Sequence, residues 1–225
     1  MRLAELGERS GVPIATIKYY LREGLLAPGE RIGPRTSEYG EEHLRRLRLV
    51  RALIHVGGLP VAKVREVLGF VDDESLGRTI RLGAALWALP QEPHPDGASE
   101  GDASQDAEAD DAHEAALGEV DRLTASLGWE AVRQLAPISP SHASLVAAMA
   151  ALRRIGYPWR SELLAPHAEL MHQVAVLEFD FMETFDSATE QVEAAVAAAL
   201  LFEPMLRALH RLAQEEESVR RYGMS

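Results

Sequence analysis

The stretch Gly11-Val-Pro-Ile-Ala-Thr-Ile-Lys-Tyr-Tyr-Leu-Arg-Glu-Gly-Leu-Leu-Ala-Pro-Gly29 decides how the first part of the chain is read. Pro13 suits the first position of a helix, where its missing N–H costs nothing, and Gly24 suits the residue that ends one. Between them Ile14, Ile17 and Leu21 recur at steps of three and four, the period of a helix with one apolar face. Upstream, Leu3 and Leu6 mark a short first helix that stops at Ser10-Gly11. Two short helices joined by a tight glycine turn form a helix-turn-helix candidate, whose second helix would enter a DNA groove. Helical hairpins with such a turn also occur without that role.

Working outward, Pro28-Gly29 and Gly33-Pro34 are turn residues flanked by short polar segments with Arg31 and Arg35, which predicts a small two-stranded hairpin with its arginines outward. A third helix from about Glu41 to Val56 has Leu44, Leu47, Val50 and Ile54 as its inner stripe and Arg45, Arg46, Arg48 and Arg51 mostly outside it, and Gly57-Gly58 ends it. A fourth runs from Val61 to Phe70 with Val64, Val67 and Leu68 inward. Lys63, close to its start, opposes the helix dipole and so points to an outside partner. A fifth opens at Asp72 or Asp73, places Leu76, Ile80, Leu86 and Leu89 at helical spacings, and is stopped by Pro90.

Composition sets the outer limits. The chain has 225 residues, no Cys and a formal net charge of −12. Disulfides, thiolate metal sites and a cysteine nucleophile are therefore excluded, and any metal would need His or carboxylate ligands. No metal or cofactor is expected. The longest uninterrupted apolar run, Ala194 to Phe202, falls far short of the about 20 residues that a spanning helix needs, so no membrane association is expected. Glu5 and Glu8 break any signal-peptide core, and a cytoplasmic location is the expectation. The acidity is concentrated. Residues 1–70 hold 12 Lys and Arg against 8 Asp and Glu, whereas residues 90–121 hold 11 Asp and Glu and no Lys or Arg. The front of the chain can meet a polyanion despite the acidic whole.

Four segments follow: 1–70, a connector or dimerisation helix at 71–89, an acidic linker at 90–112, and a helical region at 113–225. The linker combines proline, glycine and acids with no aliphatic residue larger than Ala, so it cannot bury enough apolar surface to offset the entropy of ordering. It is read either as a spacer or as an acidic mimic of nucleic acid. In the last region, Ser139-Pro140 opens a helix through Leu145, Met149 and Leu152. Leu163, His167, Leu170, Val174, Leu177 and Phe181 form a stripe expected to bury one side of a long helix. Ser187 with Glu190 is a capping box that opens a final helix, in which Ala194 to Ala199 permits close packing and Pro204 is expected to introduce a kink. The fold class is thus mainly α: a winged helix-turn-helix with a small two-stranded wing, then an all-helical bundle.

Several parts together give the first 70 residues a family resemblance. The basic-Tyr-Tyr triplet Lys18-Tyr19-Tyr20 is followed by the Gly24-Leu25-Leu26-x-Pro28 exit, a wing closing on Tyr39 before an acidic helix start, and Gly57-Gly58 with Lys63 five residues on. This set resembles the DNA-binding domain of the MerR family of bacterial transcription regulators. The resemblance implies a homodimer on a palindromic promoter element with an overlong spacer, where effector binding distorts the duplex and realigns its contacts with RNA polymerase. It also implies double-stranded DNA as partner and Thr16, Lys18, Tyr19, Arg22, Arg31, Arg35, Tyr39 and Lys63 as contacts. Lys18 and Tyr19 would hold phosphates, while Thr16 would read a base edge. Tyr20, one position round the helix, is read as core. The chain departs from the family at Ala15, where a basic residue is frequent, and at Ser37, where Arg is usual, leaving Arg35 as the substitute.

For the helical region, Trp129, Tyr157, Trp159, His167, Met171, Phe181 and Phe185 are residues that could line a pocket for a small organic effector; residues of these types at helical spacing also form ordinary core. His167 and His172 are five apart and fall on different helix faces, which disfavours a metal pair. There is no Gly-rich phosphate loop, G-x-S-x-G elbow or HExxH motif, so no enzyme is expected. Three readings remain: an effector-responsive DNA-binding regulator, a ligand-sequestering resistance protein that controls its own expression, and an effector-independent DNA-bending protein.

Overall fold

The computed structural model describes residues 1–33, 36–89, 103–157 and 159–224. In chain order the elements are α1 (Leu3–Ser10), α2 (Ile14–Arg22), β1 (Glu30–Gly33), β2 (Thr36–Glu38), α3 (Glu41–Arg51) continuing as a π-helical turn (Ala52–Val56), α4 (Val61–Asp72), α5 (Arg78–Trp87), α6 (Ala103–Ser126), α7 (Glu130–Leu135) with a 3₁₀ turn (Ala136–Ile138), α8 (Pro140–Arg154), α9 (Ser161–Met182) and α10 (Ala188–Tyr222). Among the described residues the architecture is mainly helical, with one two-stranded antiparallel ribbon. In that ribbon Glu30 pairs with Glu38 and Arg31 with Ser37. Arg35 and most of the acidic linker, residues 90–102, lie outside the described residues. Residues 103–112, which composition assigns to the linker, are helical and belong to α6.

The chain divides into two compact units, one made of Met1–Leu89 with Met182–Ser225 and the other of Pro90–Phe181. In the first, α1 and α2 meet across Gly11, whose φ of 65° is the left-handed conformation that glycine adopts without a Cβ penalty. Ile17 and Tyr20 on α2 turn inward onto Leu6, Leu44, Leu47, Leu53, Val64 and Val67. Val192 and Val196 of α10 are fully enclosed in the same core. The last helix is therefore part of the N-terminal unit, and the Ala-rich stretch lets it come close. A Cβ on Gly57 would lie 2.6 Å from Leu200 Cδ1.

α5 departs from its expected start, while of its expected apolar residues Leu89 is buried and Leu86 packs on the core. It begins at Arg78, because Asp72 ends α4 and Asp73 instead accepts from the Ser75 N–H at 3.0 Å. The inward side holds Arg81 and Ala85, while Ile80 is exposed. Arg81 turns inward because its guanidinium finds two oxygens there, the Val71 carbonyl and Thr189 Oγ1 at 3.0 Å. Each takes up a donor that burial would otherwise leave stranded.

The second unit is built on α6 against α8, with Ala112, Ala116 and Val120 facing Val146, Met149 and Ala150. Ser139 caps α8 by accepting the His142 N–H at 3.2 Å, ahead of Pro140, as the sequence predicts. At the start of α9, Glu119 Oε2 accepts the Ser161 N–H at 2.8 Å, and this backbone hydrogen bond holds the Glu119 carboxyl below its ordinary range. The α9 stripe expected to be buried is open instead: Leu163, Leu170, Leu177 and Phe181 are 57–68% exposed. Residues of α6 and α8 form this unit's core, and among the described residues Leu164 of α9 is the partly buried hydrophobic packed on it. Ser187 caps α10 by accepting the Glu190 N–H at 3.1 Å, and the helix runs on through Pro204 to Tyr222.

Candidate nucleic-acid interface

α2 is held by its inner face and leaves its outer face open. Lys18 and Arg22 are exposed on successive turns, with Thr16 and Tyr19 half-buried beside them, and Arg31 is exposed on β1. Among the described residues, Lys18, Arg22 and Arg31 have no acidic partner, and neither do Arg2 and Arg48, whereas Arg9, Arg45, Arg46, Lys63, Arg65 and Arg78 of this unit are paired with carboxylates. Arg9 pairs with Glu41 (Nη2 to Oε2, 3.0 Å) and Lys63 with Glu66 at 3.0 Å. Two like charges one turn apart on a helix repel by a few tenths of a kcal/mol, so the α2 face gains from an outside anion. The first turn of α2 carries no acidic residue and its N-terminus no side-chain cap, so the positive helix end is also left unsatisfied.

The other residues proposed from sequence occupy different settings. Tyr39 is buried at the foot of the wing, edge-on to His43 with ring centroids 5.1 Å apart, and its N–H donates to the Met1 carbonyl at 2.9 Å. It fixes the wing from inside rather than presenting a ring to the surface. Tyr20 is core, as read, and burial pushes its hydroxyl pKa up. Lys63 is half-buried and engaged with Glu66.

Sequence reasoning missed the positioning roles of four arginines. Arg65 grips the end of α2, its Nε donating to the Glu23 carbonyl at 2.9 Å while its guanidinium pairs with the Glu23 carboxylate. Arg51 donates to the Ser10 carbonyl at 3.1 Å and so ties α3 to the turn between α1 and α2. Arg46 divides its guanidinium between Asp72 and Glu193, with 2.6 Å from Nε to Glu193 Oε1, while Arg45 pairs with Glu190. These partners lie far away in the chain, where no local spacing reveals them.

The residues proposed for an effector pocket fall into small groups. Trp129 stacks at a tilt on His172, with centroids 5.9 Å apart, and Trp159 meets His167 edge-on at 5.6 Å. Tyr157 and Met171 are exposed, along with Phe181, and Phe185 is half-buried in the other compact unit. The two histidines thus serve separate tryptophans. No single helix among the described residues is long and apolar enough to cross a membrane.

Comparison with known proteins agrees with this architecture. Residues 1–70 match the family described as MerR HTH family regulatory protein. Over 50 residues the chain is 36% identical to the HTH-type transcriptional regulator ZntR homolog of Haemophilus influenzae, covering 22% of this chain and 37% of that protein, so it spans little more than a third of that curated relative's length. Across its whole length it is 64% identical to a solved structure, the proposed transcriptional regulator SCO5550 of Streptomyces coelicolor A3(2), with a TM-score of 0.82 and 99% of that chain covered. An open cationic recognition helix, a two-stranded wing and these matches lead to one conclusion: the chain belongs to the MerR family of transcriptional regulators.

Proposed function

We propose that this regulator binds an inverted repeat in a promoter as a homodimer, in the cytoplasm, and that a small organic effector changes how it presents the duplex to RNA polymerase. The observation that carries the DNA reading is the α2 face, where, among the described residues, Lys18 and Arg22 stand open and without acidic partners, while Lys63 and Arg65 are paired with Glu66 and Glu23. Lys18, Tyr19, Arg22 and Arg31 contact phosphates in this reading, Arg35 and Lys63 are further DNA contacts, and Thr16 meets a base edge. Tyr39 supports the wing.

The homodimer is supported by apolar surface left open in the single chain. Beyond Leu200, Met205, Leu209, Leu212, Val219 and Tyr222 are exposed along α10, and the α9 stripe is exposed in the other unit. Open apolar patches of this kind mark association surfaces. We assign them to a second copy, which would make Tyr157, Trp159, Met171 and Phe181 part of an association surface rather than of a ready-made pocket.

Footprinting on the promoter upstream of its own gene, with sedimentation of the free protein, tests both halves. A protected inverted repeat and a dimer are expected. A monomer with no site-specific footprint would overturn the proposal. A footprint that no effector changes would favour a purely architectural role, and ligand binding at an abundance matching the ligand's own would favour sequestration.

A further inference from the structure

Ala15, Lys18, Tyr19 and Arg22 stand at i, i+3, i+4 and i+7 on α2, so they share the side of the helix opposite Ile17 and Tyr20, which are in the core. Three members of that side carry a charge or a hydroxyl, and the one nearest the helix start ends in a methyl group. Ala15 is exposed, and so are its neighbours Pro13 and Ile14, the latter by 43%. Side chains at the start of a recognition helix are the ones that meet base edges in the major groove. Here that start is apolar.

The major groove offers a side chain hydrogen-bond acceptors, donors, and the C5 methyl group of thymine. Arg, Asn and Gln, the side chains that pair in two-pronged fashion with guanine or adenine, are missing from the first turn of α2, residues 14–17, where Thr16 alone has a polar group. What Ile14 and Ala15 can match is a methyl group. Such a match discriminates only when both sides are held in place, because a radial gap of about 0.5–1 Å forfeits roughly a quarter to a half of the dispersion attraction. The start of α2 is held. Ser10 Oγ accepts the Val12 N–H at 3.3 Å, the same N–H donates to the Gly7 carbonyl at 3.2 Å, and Arg51 fixes the Ser10 carbonyl from α3. Ile14 lies against α1 at the buried Gly7, where an added Cβ would be 3.5 Å from Ile14 Cγ1. Part of its side chain is thus seated on α1 and the rest projects.

We propose that the first turn of α2 reads thymine: Ile14 and Ala15 are specificity-determining residues that pack on C5 methyl groups of the bound duplex, beside the base edge met by Thr16. The inference rests on the DNA-binding reading above and names the chemistry by which that same helix selects its sequence. A G·C pair facing this turn strands the cytosine N4 donor or the guanine O6 and N7 acceptors against apolar side chains, which costs their bonds to water. Lys18 and Arg22 attract any duplex, and the apolar pair ranks the sequences so attracted.

Selection of duplexes from a random library by the full chain, followed by anisotropy titration of the selected site, tests the proposal without presupposing a promoter. Each thymine is exchanged singly for deoxyuridine, which keeps the hydrogen-bonding edge and lacks only the methyl group. Binding weakened about fourfold at one or more thymines is expected, the equivalent of one buried methyl. That preference should shrink to within about twofold in Ile14→Ala, and likewise in Ala15→Ser, the deciding variant should Ile14→Ala fail to fold. A merely structural role would lower affinity for thymine and deoxyuridine duplexes alike. A selected motif without thymine would overturn the proposal, as would exchanges that all stay within about twofold in the parent protein, or a thymine preference unchanged in both variants. An inverted repeat bound without thymine dependence removes this inference alone. A thymine-dependent motif that lacks inverted symmetry removes the homodimer on a repeat while supporting the inference, and selection of no motif overturns both.

Discussion

Val196 of α10 is fully enclosed in the core that carries α2, so Val196→Ala tests whether the C-terminal helix holds the DNA-reading elements in place. Removing two methyl groups forfeits roughly 1.6 kcal/mol of transfer free energy at about 0.8 kcal/mol each. A residual void of roughly 50 Å³ adds about 1 kcal/mol at about 24 cal/mol per Å³, for a total of about 2–3 kcal/mol. Amide exchange read by mass spectrometry localises the effect. If α1 to α4 and the first half of α10 open together, peptides across Leu44–Val50 should exchange roughly 30- to 150-fold faster, because each 1.4 kcal/mol is a factor of ten. Peptides of α6 and α8, in the other compact unit, should change far less. Exchange across Leu44–Val50 that stays within about twofold of the parent protein would refute the claim that α10 is part of this core.

Lys18→Ala should weaken binding to all duplexes and lower the salt slope by about one, measured by anisotropy titrations at several salt concentrations, whereas Thr16→Ala should mainly relax base preference. Gly57→Ala drives a methyl group towards Leu200 Cδ1 and the Leu53 carbonyl, so a loss of about 1–3 kcal/mol in urea unfolding is expected from overpacking. The Glu193 carboxyl, raised by burial against the pull of Arg46, favours folding while it is protonated and loses that contribution as pH rises through its folded value. Glu193→Gln should therefore be at least as stable as the parent at pH 7, with any gain shrinking as pH falls to about 4. A large loss at pH 7 that disappears in acid would show that the ion pair outweighs the desolvation.

Local signals were legible wherever the chemistry is local. The turn at Gly11, the α2 exit at Gly24, the wing, and the caps at Ser139 and Ser187 all depend on groups within a few residues of each other, and the structure has them where the sequence puts them. The family could be read because its motif is one such run of local features. The inward turn of Arg81 on α5 could not, since its acceptors, the Val71 carbonyl and Thr189 Oγ1, are supplied by other helices, the second more than a hundred residues away. The seat of α10 was hidden for the same reason. An alanine-rich helix matches many partners in sequence, and only three-dimensional packing selects Val192 and Val196 for this core. The α9 stripe shows the converse, because helical periodicity marks an apolar face without saying whether the same chain covers it.

α10 has 35 residues, and its buried anchors, Val192 and Val196, lie in its first turns. At about 1.5 Å per residue, the stretch beyond Leu200 extends roughly 33 Å from that anchorage. It works as a lever arm, so a rotation of about 10° at the fulcrum sweeps the tip through roughly 6 Å. A tilt of that size set by the guanidiniums and carboxylates at the base would displace the tip by as much as the rise of one helical turn.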